Sequence, residues 1–179
     1  HTGKTSKIIV EPGVENSVIK FKNKNNIVEA SIDNVTSTKR GTTIEKNNFK
    51  VYTVEHILSA FYALKIDNAI VEIYGNEIPI LDGSSVEFYN KIKASGLKKL
   101  KKKKELIVLK DKIEVSNGQS KITALPYDGF KITFEIDFNN SSIGKQKFVL
   151  SSLDQYEDEI SKSRTFCTFN EILKLHESG

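Results

Sequence analysis

Glu55 and His56 are the adjacent residues of this sequence whose side chains could do chemistry together. They lie within residues 52–64, where apolar residues recur at the spacing of a helix that packs on a core: Val54, Ile57, Leu58, Phe61 and Leu64. In the first turn of a helix the backbone N–H groups are unpaired and the dipole is positive, so a carboxylate there is held ionised and can accept a proton. A neutral imidazole beside it can offer a nitrogen to a metal ion. The pair therefore predicts a general base, Glu55, and a metal ligand, His56. The alternative is a purely structural role, in which Glu55 only interacts with the helix dipole and His56 is a hydrogen-bonded residue of the core.

The helix that positions this pair has an unusual second face. On a helical period, His56, Ser59, Ala60 and Ala63 lie opposite the apolar stripe. A face turned to water would normally carry lysine and glutamate, whereas small residues with one histidine indicate that something packs or binds there. Thr53 precedes the helix and is the predicted N-cap.

Composition sets bounds on the class of protein. The chain has 179 residues, 38% of them hydrophobic and 28% charged, which is typical of a globular protein with one large domain or two small ones. No apolar run approaches the ~18 residues of a membrane span, and no signal-peptide pattern is present. Cys167, the single cysteine, excludes an internal disulfide framework and favours a reducing compartment, and a net charge of +4 mildly favours anionic partners. Because the chain has no methionine, we expect a piece of a longer cytoplasmic protein.

Both halves of the chain run from strands to a helix, which predicts an α+β fold. We expect two similar two-layer α/β sandwich domains, the first over residues 1–97 and the second, incomplete, over residues 106–179. Strands are predicted at 7–10, 18–21, 28–32, 69–74, 106–109, 112–115, 120–125, 130–138 and 146–150, a hairpin around Asn47–Asn48, and helices at 86–96, 154–160 and 171–176. The basic run within residues 98–105 is most simply a solvated linker, although such runs also bind nucleic acid.

Several segments, taken in order, resemble one known family. They are His1-Thr2-Gly3-Lys4, Thr53-Val54-Glu55-His56, Ile66-Asp67-Asn68, Glu77-Ile78-Pro79-Ile80-Leu81-Asp82-Gly83-Ser84 and Ser163-Arg164-Thr165-Phe166. Over residues 1–179 the chain resembles the UDP-3-O-acyl-N-acetylglucosamine deacetylases. That family consists of zinc hydrolases that remove acetate from the 2-acetamido group of a sugar nucleotide, a step of lipid A synthesis in Gram-negative bacteria.

The resemblance implies roles for three residues in the reaction. Glu55 would be the general base, and His56 would be one of three zinc ligands. Bound zinc would lower the pKa of its water toward ~7, so that hydroxide is available at neutral pH. Thr165 resembles the residue whose hydroxyl stabilises the tetrahedral oxyanion.

The resemblance also implies contacts with the substrate, UDP-3-O-acyl-N-acetylglucosamine. Phe166 resembles an aromatic residue beside the substrate, and the segment from about residue 166, including Ile172, resembles the start of an insert that forms the passage for the acyl chain. His1 matches a histidine near the site. We expect a monomer with no transmembrane segment and no nucleic-acid partner.

The sequence departs from the family in one large respect. The family takes its other two zinc ligands from a His-Lys-x-x-Asp helix and its general acid from a later Gly-His pair, and neither pattern occurs here. His176 is not followed by lysine and is not taken as a ligand. We therefore expect this chain to bind zinc weakly and not to turn over substrate. The alternatives are a basic nucleic-acid-binding α/β module, a non-catalytic relative, and a fusion with another lipid-pathway enzyme.

Overall fold

The structure is a computed structural model that describes residues 2–138, 142–169 and 171–173. The chain divides into two compact units, of which the first comprises His1–Lys101 with Glu157–Gly179 and the second Lys102–Tyr156. The predicted domains, 1–97 and 106–179, differ from these units in that residues 157–179 group with the first unit. The two similar sandwich domains stay a prediction. Within the described residues, no helix combines the length and the apolar character that crossing a membrane requires.

The first unit contains a four-stranded mixed sheet. The strands are β1 (Lys7–Pro12), β2 (Ile19–Asn23), β3 (Asn26–Glu29) and β7 (Ala69–Tyr74). β7 pairs antiparallel with β1 and parallel with β2, which pairs antiparallel with β3. Phe21, Val28 and Val71 lie side by side in register and are fully buried, because alternate residues of each strand point to the core face.

A second sheet of the first unit precedes the helix that carries the candidate site. Its three strands are β4 (Val35–Ser37), β5 (Thr43–Lys46) and β6 (Phe49–Val51). The hairpin between β5 and β6 turns at Asn47 and Asn48, whose φ angles of 52° and 65° are ones that asparagine tolerates. The predicted hairpin at this pair is confirmed.

Two α-helices, α1 (Glu55–Ala63) and α2 (Val86–Ser95), contact each other in the first unit, and a short 3₁₀ helix spans Ile32–Asn34. The buried apolar residues of the two helices and of the turn before α1 are Val54, Ile57, Ala60, Phe61, Phe88, Tyr89 and Ile92. Val54, Ile57 and Phe61 confirm the predicted apolar stripe, but Ala60, expected on the opposite face, is also fully buried. α1 is therefore covered on more than one side.

The predicted cap of α1 is wrong. Val54 occupies the N-cap without a side-chain hydrogen bond, and the hydroxyl of Thr53 donates instead to Glu77. The reason is the backbone: Thr53 has a φ of 61°, in the left-handed region, rather than the extended conformation of a capping residue.

The described part of the second unit contains two antiparallel hairpins. They are formed by β8 (Ile113–Asn117) with β9 (Ser120–Ala124) and by β10 (Ile132–Asp137) with β11 (Lys145–Leu150). The predicted strand at 106–109 is wrong: the segment is irregular and Ile107 is 98% exposed, since no other described strand pairs with it.

The chain around residues 153–160 also differs from prediction. The predicted helix 154–160 is a 3₁₀ turn, Leu153–Gln155, followed by a π-helical turn, Tyr156–Ile160. Of the last predicted helix, residues 171–173 are helical and 174–176 lie outside the described residues. The overall prediction of an α+β fold is confirmed.

Candidate active site

The start of α1 is fixed by a loop that lies against it. The backbone N–H of Thr42 donates to Oε2 of Glu55 at 2.8 Å, and the N–H of Val54 donates to the carbonyl oxygen of Thr42 at 3.2 Å. Glu55 is the acidic residue of the first turn, as the sequence predicts. Gly41 makes the close approach possible, because a Cβ there would stand 3.2 Å from Oε1 of Glu55.

Glu55 and His56 line a concavity of about 260 Å³. Its other lining residues are Ser59, Ser85, Ile160 and Ser163. Three of these are serines, whose small side chains leave room for a ligand. The face of α1 that carries His56 and Ser59 therefore borders a space. That something binds in it stays a prediction.

A turn between β7 and α2 holds the segment that forms the other side of this space. The backbone N–H of Ser85 donates to the carbonyl of Ser161 at 3.1 Å, and the hydroxyl of Ser85 donates to the same oxygen at 3.2 Å. The N–H of Thr165 donates to the carbonyl of Gly83 at 2.8 Å. These bonds join residues far apart in sequence and set where Ser163 and Thr165 lie.

Two ion pairs support the same arrangement from the surface. Arg164 lies 3.4 Å from Asp82, and hydrogen bonds from the hydroxyl and N–H of Ser84, with this guanidinium, hold the pKa of Asp82 below its ordinary value. Lys93 of α2 lies 2.5 Å from Glu157, lowers the pKa of that carboxyl and has its own pKa raised in return. Both pairs tie the segment after residue 156 to the turn and to α2.

The predicted site residues fall into separate groups. Glu55 and His56 lie together at the concavity, while Thr165 is exposed and bound through its backbone to the turn at Gly83. Phe166 is 60% exposed and Ile172 is 45% exposed, and neither lines the concavity. His1 lies outside the described residues. The roles of all six stay predictions.

Sequence reasoning missed several residues of the site. Ser85 was given no role in the site, and Ser163 was noted only as part of a motif, yet both line the concavity. Thr42 acts through its backbone N–H, so its residue type carries no signal. Glu77 is 6% exposed and accepts hydrogen bonds from Thr2 and Thr53, and a glutamate between a strand and a proline was the available signal.

A carboxylate beside an imidazole at a small concavity is an arrangement suited to general acid–base chemistry, as hydrolases use it. The family described as LpxC, UDP-3-O-acyl N-acetylglycosamine deacetylase, matches residues 1–179. The chain belongs to this family.

Named relatives agree with the family match. A UDP-3-O-acyl-N-acetylglucosamine deacetylase of Syntrophus aciditrophicus is 38% identical over 154 residues, covering 86% of this chain and 49% of the relative. One from Methylococcus capsulatus is 35% identical over 185 residues, covering 99% and 61%. A bifunctional enzyme LpxC/FabZ of Chlorobaculum tepidum is 39% identical over 155 residues, covering 85% and 33%. The chain thus spans between 33% and 61% of the length of these relatives.

Proposed function

We propose that the chain is part of a zinc-dependent deacetylase that hydrolyses the 2-acetamido group of UDP-3-O-acyl-N-acetylglucosamine and releases acetate, in lipid A biosynthesis. Membership of the family and the names of the relatives support the reaction. The observation that carries the residue assignment is Glu55 beside His56 at the same concavity. We further propose that the longer protein is a cytoplasmic monomer.

In this proposal Glu55 takes the proton of the attacking water. The hydrogen bond from Thr42 holds Oε2 in place, so the carboxylate keeps one orientation at the edge of the concavity. An orienting bond of this kind is what a general base needs, because proton transfer requires a distance of about 2.6–3.2 Å. The Thr165 hydroxyl is proposed to stabilise the oxyanion, and Phe166, Ile172 and His1 to contact substrate.

The described residues do not fit a complete zinc site. Among them, no group of three His, Cys, Asp or Glu side chains is placed to hold a metal ion, whereas a catalytic zinc takes three protein ligands. We therefore assign no zinc-dependent step to them. We propose zinc as the cofactor of the longer protein, with His56 as one ligand, and expect the 179-residue chain to bind it weakly and to release no acetate.

The alternative functions stay open to test. The lysines within residues 98–104 are exposed, as nucleic-acid binding would require, but a solvated linker has the same property. RNA binding at micromolar levels that falls steeply with salt would favour that alternative. A fusion with a second enzyme, as the Chlorobaculum relative is named, also stays a prediction.

The test begins with the coding sequence beyond Gly179, where we expect His-Lys-x-x-Asp and then a Gly-His pair. The longer protein is then assayed for acetate release from UDP-3-O-acyl-N-acetylglucosamine, with and without a chelator. Glu55→Gln should lower kcat about 100- to 10,000-fold, the usual contribution of a general base. Glu87→Gln is the matched control, because Glu87 is the first-turn acid of α2 and pairs with Lys91 on the surface. No acetate from the wild-type protein, or full activity of Glu55→Gln, would overturn the proposal.

A further inference from the structure

Thr53, two residues before Glu55, has an unfavourable backbone that something must hold. Its φ is 61°, in the left-handed region, and its side chain is β-branched. Such a conformation is a genuine outlier for a β-branched residue and persists only where the surroundings fix it. Thr53 is 7% exposed, so the surroundings are protein rather than solvent.

Glu77 supplies the contact that fixes Thr53. Its Oε1 accepts a hydrogen bond from the Thr53 hydroxyl at 3.0 Å, and its Oε2 accepts from the backbone N–H of Thr2 at 2.7 Å and from the Thr2 hydroxyl. A buried carboxylate is costly unless hydrogen bonds of this kind compensate it. One side chain thus joins the segment at Thr2 to the residue that leads into α1.

The backbone around Glu77 reinforces this contact. The N–H of Tyr52 donates to the carbonyl of Asn76 at 2.9 Å, and the N–H of Ile78 donates to the carbonyl of Tyr52 at 3.1 Å. The residues on either side of Glu77 therefore hold the residue that precedes Thr53. Main-chain and side-chain bonds together leave the chain little freedom on this side of α1.

The start of α1 is held on its other side by Gly41 and Thr42. A Cβ at Gly41 would stand 3.2 Å from Oε1 of Glu55 and 3.8 Å from the Thr53 hydroxyl, so both side chains adjoin the same glycine. Thr42 bonds to the Glu55 carboxylate. Gly41 is therefore the contact through which a change in Thr53 would reach Glu55.

We propose that Glu77 is a positioning residue for the reaction: it locks Thr53 in its left-handed conformation and so sets the orientation of Glu55. This inference rests on the proposed function only for its effect on catalysis. It requires a carboxylate, because two oxygens accept from Thr53 on one side and from Thr2 on the other. A glutamine would turn its NH₂ group to one of these partners and lose an accepted bond there.

The test combines amide exchange in the 179-residue chain with kinetics in the longer protein. The Thr42 N–H reports on the Glu55 carboxylate. In Glu77→Gln, the protection of the Thr42 amide from exchange should fall about tenfold to a hundredfold more than the protection of the β7 amides. This range corresponds to the stabilisation that a hydrogen bond to a charged group contributes. A merely structural role would lower all these protections together. In the longer protein the same variant should lower kcat about tenfold or more with KM within about threefold, because misplacement acts on the chemical step.

Two controls separate positioning from stability. Glu72→Gln alters a glutamate of β7 that pairs with Lys22 on the surface, and it should leave kcat and the Thr42 amide unchanged. Thr53→Ser keeps the hydroxyl that donates to Glu77 and should retain activity, whereas Thr53→Val removes it and should behave as Glu77→Gln. If Glu77→Gln does not fold, the comparison of Thr53→Ser with Thr53→Val provides the test.

The outcomes distinguish this inference from the proposed function. Wild-type kcat in folded Glu77→Gln, or a Thr42 amide that follows the β7 amides, overturns the positioning role. If the wild-type longer protein releases no acetate, the proposed function fails. The exchange of Thr42 then decides alone whether Glu77 orders the start of α1.

Discussion

Gly41→Ala is the substitution that tests most directly how Glu55 is held. The added Cβ would stand 3.2 Å from Oε1 of Glu55, closer than an ordinary van der Waals contact. The carboxylate must then move by a few tenths of an ångström, away from the position at which Thr42 donates to it at 2.8 Å. The φ of 153° at Gly41 adds a backbone cost, because alanine rarely adopts it.

The two costs can be separated with a second glycine. Gly75→Ala, at a φ of 128°, would place its Cβ 3.6 Å from the Cβ of Ser6, an ordinary contact, so this variant carries the backbone cost alone. That cost is about 1–3 kcal/mol. In Gly41→Ala the weakened hydrogen bond to the Glu55 carboxylate adds a second loss of stability, at most about 1.5–3 kcal/mol. The loss should be smaller than this limit because Glu55 is partly exposed to solvent. Each kcal/mol lowers Tm by about 2–4 °C in a chain of this size.

The assays are thermal unfolding of the 179-residue chain and acetate release by the longer protein. Both variants should lower Tm, Gly41→Ala by more. Gly41→Ala alone should lower kcat, by about tenfold, since a misplacement of 1 Å can cost about a hundredfold. If folded Gly41→Ala keeps wild-type kcat, the carboxylate of Glu55 is not the group that the reaction needs. An equal loss of kcat in Gly75→Ala would show that the effect is one of general destabilisation.

Three further predictions concern stability. Burial raises the pKa of Glu77, but hydrogen bonds, those of Thr2 and Thr53 among them, outweigh it and lower the pKa to about 2, so the stabilisation by Glu77 is present above about pH 4.3 and is lost as pH falls through the lowered pKa. The urea midpoints of wild type and Glu77→Gln should therefore differ more at pH 7 than at pH 3, and a constant difference would contradict this. Phe61→Ala should lower the free energy of unfolding by about 3–5 kcal/mol, because Phe61 is fully buried in α1, and a loss below 1 kcal/mol in urea unfolding would contradict the packing. Lys93→Met should lower Tm only slightly, and by less at 1 M salt, because its pair with Glu157 is exposed and screened; a loss that salt does not change would contradict this.

Much of the first unit could be predicted from local pattern. The periodicity of α1 and the Asn47–Asn48 turn each identified an element that the structure contains. Pattern fails where the deciding partner is distant in sequence. Residues 106–109 have strand-forming side chains, but they form no strand because no described strand pairs with them. The cap at Thr53 was wrong for the same reason, since Glu77 takes its hydroxyl.

The residues of the site also differ in whether local pattern or distant contacts place them. Glu55 and His56 could be found from their types and their place in a first turn, because helix electrostatics is local. Ser85 and Ser163 could not, because what places them at the concavity is a set of hydrogen bonds between the turn at Gly83 and the segment after residue 156. The resemblance identified that segment through Thr165, but not the bonds that hold it.

Two residues with a disfavoured backbone conformation precede the helices that border this site. Thr53 and Leu81 both have positive φ angles, of 61° and 53°, and each leads into a helix whose beginning lines the concavity, α1 through Glu55 and α2 through Ser85. Neither residue type favours that backbone, so tertiary contacts must maintain it, and at Thr53 Glu77 does so. At Thr53, therefore, a conformation that local preference disfavours is held next to a helix that lines the concavity, as functional sites commonly hold strained residues.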